Sequence, residues 1–283
     1  MIERLIDLYH HRELLYNMIV KELRVKYKRS VLGFFWSFMN PIIMLAVFGL
    51  VFALLVPNDM SWFAVYLMSG LLPWLFFVNT LMQSVGTIVN NPGLVKKVYF
   101  PREILPLASV GANIFHFLLQ MGVFFIFLFI IQWHFSPWLA MFPLVFLLEV
   151  IFATGLALLV SAANVYLRDV QHFVELATMA WFWLTPIVYP IGLLQGRFPK
   201  YMPIYLLNPM ANIVLYWQYI IYNPYYHAPS TTKYGIFQKV TTGSSAVYIS
   251  DKAMLYTALV SFAMLVIGYY FFSRTERGFA EQI

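Results

Sequence analysis

Runs of about 20 apolar residues, the length a helix needs to cross roughly 30 Å of hydrocarbon, recur at about 34–56, 62–88, 104–131, 138–163, 170–190 and 253–272. The pattern predicts six transmembrane helices. Between the fifth and sixth, MPIYLLNPMANIVLYWQYIIYNP holds an apolar stretch of about 13 residues between two Asn-Pro pairs. That length is too short to cross, so a re-entrant or interfacial helix is predicted over about 203–222. The following HAPSTTKYGIFQKVTTGSSAVYIS is rich in Ser, Thr and Gly and predicts an extracellular loop with short strands. Ahead of the first span, Glu13, Asn17, Lys21, Arg24 and Lys28 recur at helical spacing, while Leu14, Leu15, Met18, Ile19 and Leu23 cover another face. This predicts an amphipathic helix at the membrane surface.

Charge orients these elements. Thirteen of the 18 Lys and Arg lie in 1–33, in 89–103, at Arg168 and in the tail at Arg274 and Arg277, against none in PNDMS (57–61) or QWHFSP (132–137). Because cytoplasmic connections carry the excess of Lys and Arg, both termini are expected in the cytoplasm. The cations of the amphipathic helix suit the cytoplasmic leaflet, where each gains about 1 kcal/mol from anionic lipid. A plain anchor obeying the same rule would look alike. Gly33 permits a tight turn into the first span. With 61% hydrophobic and 11% charged residues and a mean hydropathy of +0.74, the chain departs far from the roughly 25% charged norm of soluble domains. It reads as a one-domain, all-α integral membrane protein whose net charge of +6 is topological, with no nucleic-acid partner. The absence of cysteine excludes a disulfide framework and a cysteine nucleophile. The N-terminal sequence has no uninterrupted apolar core of the kind a cleaved signal peptide needs.

Polar residues within spans mark packing or a wet path. Ser109, Asn113, His116 and Gln120 form one stripe; Tyr66, Gly70, Pro73, Phe77, Thr80 and Ser84 another; Glu175, Thr178, Phe182, Thr185 and Tyr189 a third. Glu175 is placed to pair with Arg168. Aromatics make up 19% of the chain. Phe34, Trp36, Trp74, Phe77, Trp181 and Phe182 exceed what interfacial belts require, and their faces suit the apolar C–H faces of sugar rings as well as lipid; with Thr185 and Tyr189 they are the candidates for a polymer path if sugar is what they meet. No phosphate-cradling G-x-x-x-x-G-K-[ST] motif occurs, so ATP and Mg, if used, are bound by another chain. Lys96, Lys97, Tyr99, Arg102 and Glu103, within NNPGLVKKVYFPREILPL, and Glu22 and Arg24 of the amphipathic helix are candidate contacts to such a subunit. Two rivals from other classes use ionisable residues of the spans: a lipid-modifying enzyme with His116 and Glu149 as acid and base, and a proton-coupled transporter using Glu149 and Glu175.

YKRSVLGFFWSFMNP, LMSGLLPWLFFVN, NPGLVKKVYFPREILPL, VYLRDV and WFWLTPIVYP, in this order and at these places between the spans, resemble the membrane subunit of ABC-2 type exporters of lipid-linked polysaccharides. That family includes the O-antigen and wall teichoic acid permeases, and the resemblance covers nearly the whole chain. It implies the ABC-2 (type V exporter) fold with six spans, a second copy of the chain, two copies of a separate P-loop ATPase and no cofactor in this chain. The implied substrate is a polymer linked to undecaprenyl pyrophosphate, passed from the inner to the outer leaflet of the cytoplasmic membrane. The family's interface helix falls on about 13–27, its gate loop on Leu32 and Gly33, its coupling helix on about 92–102 and its extracellular gate on about 203–222. Lys26, Lys28 and Arg29 then stand at headgroup depth, where they would attract the lipid pyrophosphate. The long 225–250 stretch points to wall teichoic acid as the polymer, with O-antigen or capsular polysaccharide as the alternative.

Overall fold

The computed structural model describes residues 9–27, 39, 41–47, 50, 63–97, 100–189, 191–222 and 251–283. Most of the first predicted span, the gate-loop residues Leu32 and Gly33, the path residues Phe34 and Trp36, and Lys28, Arg29, Tyr99, the Lys26 side chain and 223–250 lie outside them.

Among the described residues the helices with defined ends are, in chain order, α1 (Arg12–Tyr27), α2 (Phe63–Val85), α3 (Pro92–Lys97), α4 (Ile104–Ile130), α5 (Phe142–Tyr166), α6 (Val170–Trp183), α7 (Ile191–Arg197), α8 (Met202–Tyr205), α9 (Pro209–Ile221), α10 (Asp251–Thr275) and α11 (Phe279–Gln282), and 41–47 is helical as well. A 3-10 turn, Pro137–Met141, leads into α5. Among the described residues there is no strand. Among the described residues four segments are long and apolar enough to cross a membrane: α2, α4, α5 with its leading turn, and α10 with its short continuation. These match the predicted second, third, fourth and sixth spans. The fifth differs. Instead of running to 190, α6 stops at Trp183 after 14 residues, about 21 Å of rise against roughly 30 Å of hydrocarbon. The cause is local: Pro186 has no N–H for the helix ladder and pushes Thr185 out of helical geometry.

The tightest joint is between α5 and α10, the most extensively contacting helix pair. Gly155 and Gly268 face each other there. A Cβ on Gly155 would lie 2.5 Å from the Met264 carbonyl, and one on Gly268 would overlap the Gly155 carbonyl oxygen. Small residues at such a crossing let two membrane helices bring their backbones together. The main core joins α2, α4, α5 and α9. A second cluster at one end unites Ile88, Val95, Phe100, Ile104, Phe272 and Phe279 with Leu14, Leu15 and Met18 of α1. The segments before the first and after the last span therefore meet at the same end of the bundle. At the opposite end α9 packs against α2, α10 and the turn into α5.

Candidate functional site

The two ends of the bundle carry the candidate chemistry. At the first, the faces of α1 fall where the sequence puts them: Glu13, Asn17, Lys21 and Arg24 are exposed, and Leu14, Leu15, Met18, Ile19 and Leu23 are half-buried. The apolar face rests on protein. Ile19 fills the space over Gly111, where a Cβ would lie 2.6 Å from its Cδ1. Polar bonds fasten the other side. Gln83 Nε2 donates to Glu22 Oε2 at 2.9 Å, Asn113 Nδ2 donates to Gln83 Oε1 at 2.8 Å, and Lys21 Nζ donates to Asn91 Oδ1 at 3.0 Å. Glu22, a predicted partner contact, thus faces inward, while Arg24 faces out. Because a hydrogen bond to a charged group is worth about 1.5–3 kcal/mol, Gln83→Leu should speed hydrogen exchange across α1 and leave α2 and α4 protected. Unchanged exchange in α1 would show that Ile19 and its apolar neighbours hold the helix without this bond.

Beside α1 lies α3, with Lys96 and Lys97 exposed and Val95 buried. Arg102, predicted to face a partner, instead donates from Nη1 to the Glu276 carbonyl. Glu103 is buried at the start of α4. Glu175 does not pair with Arg168. It is exposed, with a carboxylate oxygen 3.9 Å from His172 Nδ1, because Arg168 precedes α6 whereas His172 lies one turn back on the same face.

At the opposite end, α9 is 13 residues long and almost wholly buried. Asn208 starts it. Its Oδ1 accepts from the Met210 and Ala211 N–H groups and from Trp181 Nε1 at 2.8 Å, and its Nδ2 donates to the Leu184 carbonyl at 3.0 Å. One side chain caps α9 and ties it to the end of α6. Gln218 Nε2 donates to the Pro186 carbonyl at 2.8 Å and lies over Gly70, where a Cβ would come within 2.8 Å of that nitrogen. Trp133 Nε1 donates to the Ile221 carbonyl at 3.1 Å. Trp217 Nε1 donates to Glu149 Oε2 at 2.8 Å, both residues being fully buried. Tyr66 donates to the Tyr189 carbonyl at 3.1 Å, and the Tyr189 and Tyr205 hydroxyls are 3.2 Å apart. Burial, and then the bond to Tyr189, raise the Tyr205 pKa.

The predicted polymer-path residues divide. Trp74 and Phe77 are interior: Phe77 is stacked on Phe152 at 5.7 Å and edge-on to Trp181 at 5.3 Å, and Trp74 meets Phe182 at 5.9 Å. Thr185 is buried, with its hydroxyl donating to the Trp181 carbonyl at 2.9 Å. Trp181 also borders an open cleft of about 610 Å³, lined with Ala177, Ala180, Leu184, Ile204 and Tyr205. Four residues missed from the sequence hold this end together: Trp133, Asn208, Trp217 and Gln218. Asn208 was within reach, since an Asn before Pro is a helix-start signal. The polar stripes of α2 and α4 turn inward, with Thr80, Ser84, Ser109, Asn113 and His116 all buried. Among the described residues no group of three or more His, Asp or Glu converges to hold a metal ion.

A bundle with membrane-length helices, a docked surface helix and a short capped helix at the far end is the architecture of an integral membrane protein. Residues 13–222 match the ABC-2 type transporter family, and the chain belongs to it. It is 31% identical over 226 residues to the O-antigen export system permease protein RfbA of Myxococcus xanthus, covering 78% of this chain and 85% of that one. The protein of the same name from Klebsiella pneumoniae is 32% identical over 206 residues, covering 72% and 78%. The polysialic acid transport protein KpsM of Escherichia coli is 24% identical over 261 residues, 89% of each chain.

Proposed function

We propose that this chain is the membrane subunit of an ATP-driven exporter that moves a polysaccharide of the O-antigen kind, linked to undecaprenyl pyrophosphate, from the inner to the outer leaflet of the cytoplasmic membrane. What carries the reading is the similarity to O-antigen export permeases across most of both chains. Those names favour O-antigen over the teichoic acid suggested by 225–250. In this reading the chain has cytoplasmic termini and six crossings, the fifth completed by the non-helical residues 184–189 that follow α6; it pairs with a second copy and works with two copies of an ABC ATPase that bind ATP and Mg.

Each end of the bundle takes a role. Lys26, Lys28 and Arg29, with the Leu32–Gly33 loop, receive the lipid pyrophosphate. Lys96, Lys97 and Arg24 meet the ATPase. The α9 helix serves as the extracellular gate, re-entering the membrane without crossing it. The polymer passes between the two copies along α6, whose Phe173, Leu176, Met179 and Trp183 are exposed and whose Trp181 opens onto the cleft. Trp74 and Phe77 support that wall from behind.

Native mass spectrometry of the gently solubilised complex is expected to find two copies of this chain with two P-loop ATPase chains, and deleting the gene should leave O-antigen-type polymer inside the cell. Reversing two exposed charges with Lys96→Glu and Lys97→Glu should lower ATPase recovery about tenfold, equivalent to about 1.4 kcal/mol. A particle without ATPase, or normal surface polymer in the deletion strain, would overturn the reading.

A further inference from the structure

Residues 276–283 fold back against the segment read above as the ATPase contact. Phe279 is fully buried, its ring 5.4 Å from Phe272 and 6.1 Å from Tyr166. It shares a buried cluster with Ile88, Val95 and Phe100. Arg102 donates to the Glu276 carbonyl, and the Tyr166 hydroxyl donates to the Thr275 carbonyl at 2.7 Å. A Cβ on Gly278 would lie 2.6 Å from that hydroxyl oxygen. The small helix α11 packs directly on α3.

The mechanical consequence follows from how little else holds α3. Six residues are too few to sustain a helix alone, and Val95 is the one side chain α3 buries. A load on α3 therefore leaves it through the buried cluster that holds Val95, to which Phe279 belongs, and through Arg102 just beyond. Phe279 and Glu276 continue from α10, and α10 is joined to α5 at Gly155 and Gly268, where the backbones leave no room to slide.

We propose that residues 276–283 are a transmission clamp: Phe279 and the Arg102–Glu276 bond make α3 move as one body with α10 and α5, so that the stroke of the partner ATPase enters the membrane through those two helices. This rests on the reading of α3 as the ATPase contact. It makes Phe279 and Arg102 positioning residues.

The test uses the complete complex with its ATPase. For Phe279→Ala, ATPase recovery and basal hydrolysis should stay within about twofold of wild type while polymer exported per ATP falls about tenfold, inside the 5- to 150-fold range of ordinary coupling energies. Phe279→Leu, which keeps most of the buried volume, should retain export. Unchanged export per ATP in Phe279→Ala would overturn the clamp, as would loss of the ATPase from that variant. If Lys96→Glu with Lys97→Glu leaves ATPase binding intact, the ATPase-contact reading fails and takes the clamp with it, whereas loss of ATPase in that variant together with unchanged export per ATP in Phe279→Ala overturns the clamp alone. The chain has no cysteine, so Val95→Cys with Phe279→Cys can be bridged by a short thiol cross-linker. Should Phe279→Ala be lost from the membrane, this pair decides: recovery of export on bridging supports the clamp, and continued failure overturns it.

Discussion

Gly155→Ala and Gly268→Ala should each destabilise the protein, although in most helices Gly→Ala is stabilising. Alanine gains about 0.5–1 kcal/mol of helix propensity over glycine. Here the added methyl meets backbone: on Gly155 it would lie 2.5 Å from the Met264 carbonyl and 2.6 Å from the Leu265 nitrogen, and on Gly268 it would overlap the Gly155 carbonyl oxygen. Backbone cannot rotate aside as a side chain can, so α5 and α10 must separate along their shared face. Overpacking of this kind costs about 1–3 kcal/mol, occasionally more, and exceeds the propensity gain. Gly155→Leu should prevent recovery of folded protein. Gly122 supplies the control, because a Cβ there meets nothing within 4 Å, and Gly122→Ala should be neutral or slightly stabilising. Thermal unfolding midpoints in detergent decide the matter. Equal midpoints for Gly155→Ala and Gly122→Ala would refute the close crossing.

Trp217→Ala should be comparably severe, for two separable reasons. The ring is fully buried and edge-on to Phe142 at 4.8 Å and Phe117 at 5.5 Å, so its removal leaves a cavity costing about 3–5 kcal/mol. It also deprives Glu149 of its N–H donor, while Glu149 Oε1 already has no hydrogen-bond partner among the described residues. A buried carboxyl group without partners is costly. Trp217→Phe keeps much of the ring and removes the donor, so it isolates the second effect at about 1–3 kcal/mol. Adding Glu149→Leu to Trp217→Phe should recover most of that loss, since two apolar partners leave no group unsatisfied. Failure of the double variant to recover stability would show that Glu149 is held by something other than Trp217. The same series bears on the enzyme and proton-coupled alternatives, because both need Glu149 for chemistry, whereas an exporter tolerates Glu149→Leu once α9 is seated.

Legibility from sequence followed the range of the interaction concerned. The amphipathic faces of α1, the apolar lengths of α2, α4, α5 and α10 and the shortness of α9 are periodicities within one segment, and each was visible there. The stop of α6 was written in Pro186, but an unbroken run of apolar letters to 190 concealed it. The left-handed turn at Gln132, with a φ of 56°, carried no signal at all, because glutamine is not a residue that advertises that conformation. It turns the chain at the end of α4, just before the Trp133 indole that caps Ile221. Among site residues, Lys96 and Lys97 were legible as exposed cations beside a short apolar face. Glu22 and Arg102 were not, since a charge that bonds inward and one that faces a partner look the same in one dimension.

By itself the amino-acid sequence determined the class of the molecule: a membrane-spanning bundle with its cations gathered at one end, without cysteine or a nucleotide-binding loop, and bearing the motifs of its family. Those properties depend on composition, run length and charge counts, which need no partner in space. Tertiary structure decided which polar and aromatic residues serve packing: Phe77 stacks on Phe152, Gln83 bridges α1 to α4, Glu149 holds Trp217, and Phe279 packs on Phe272. The first three pairings join residues far apart along the chain. Only the docking of helices, set where Gly70, Gly111, Gly155 and Gly268 allow close approach, brings such residues within contact distance.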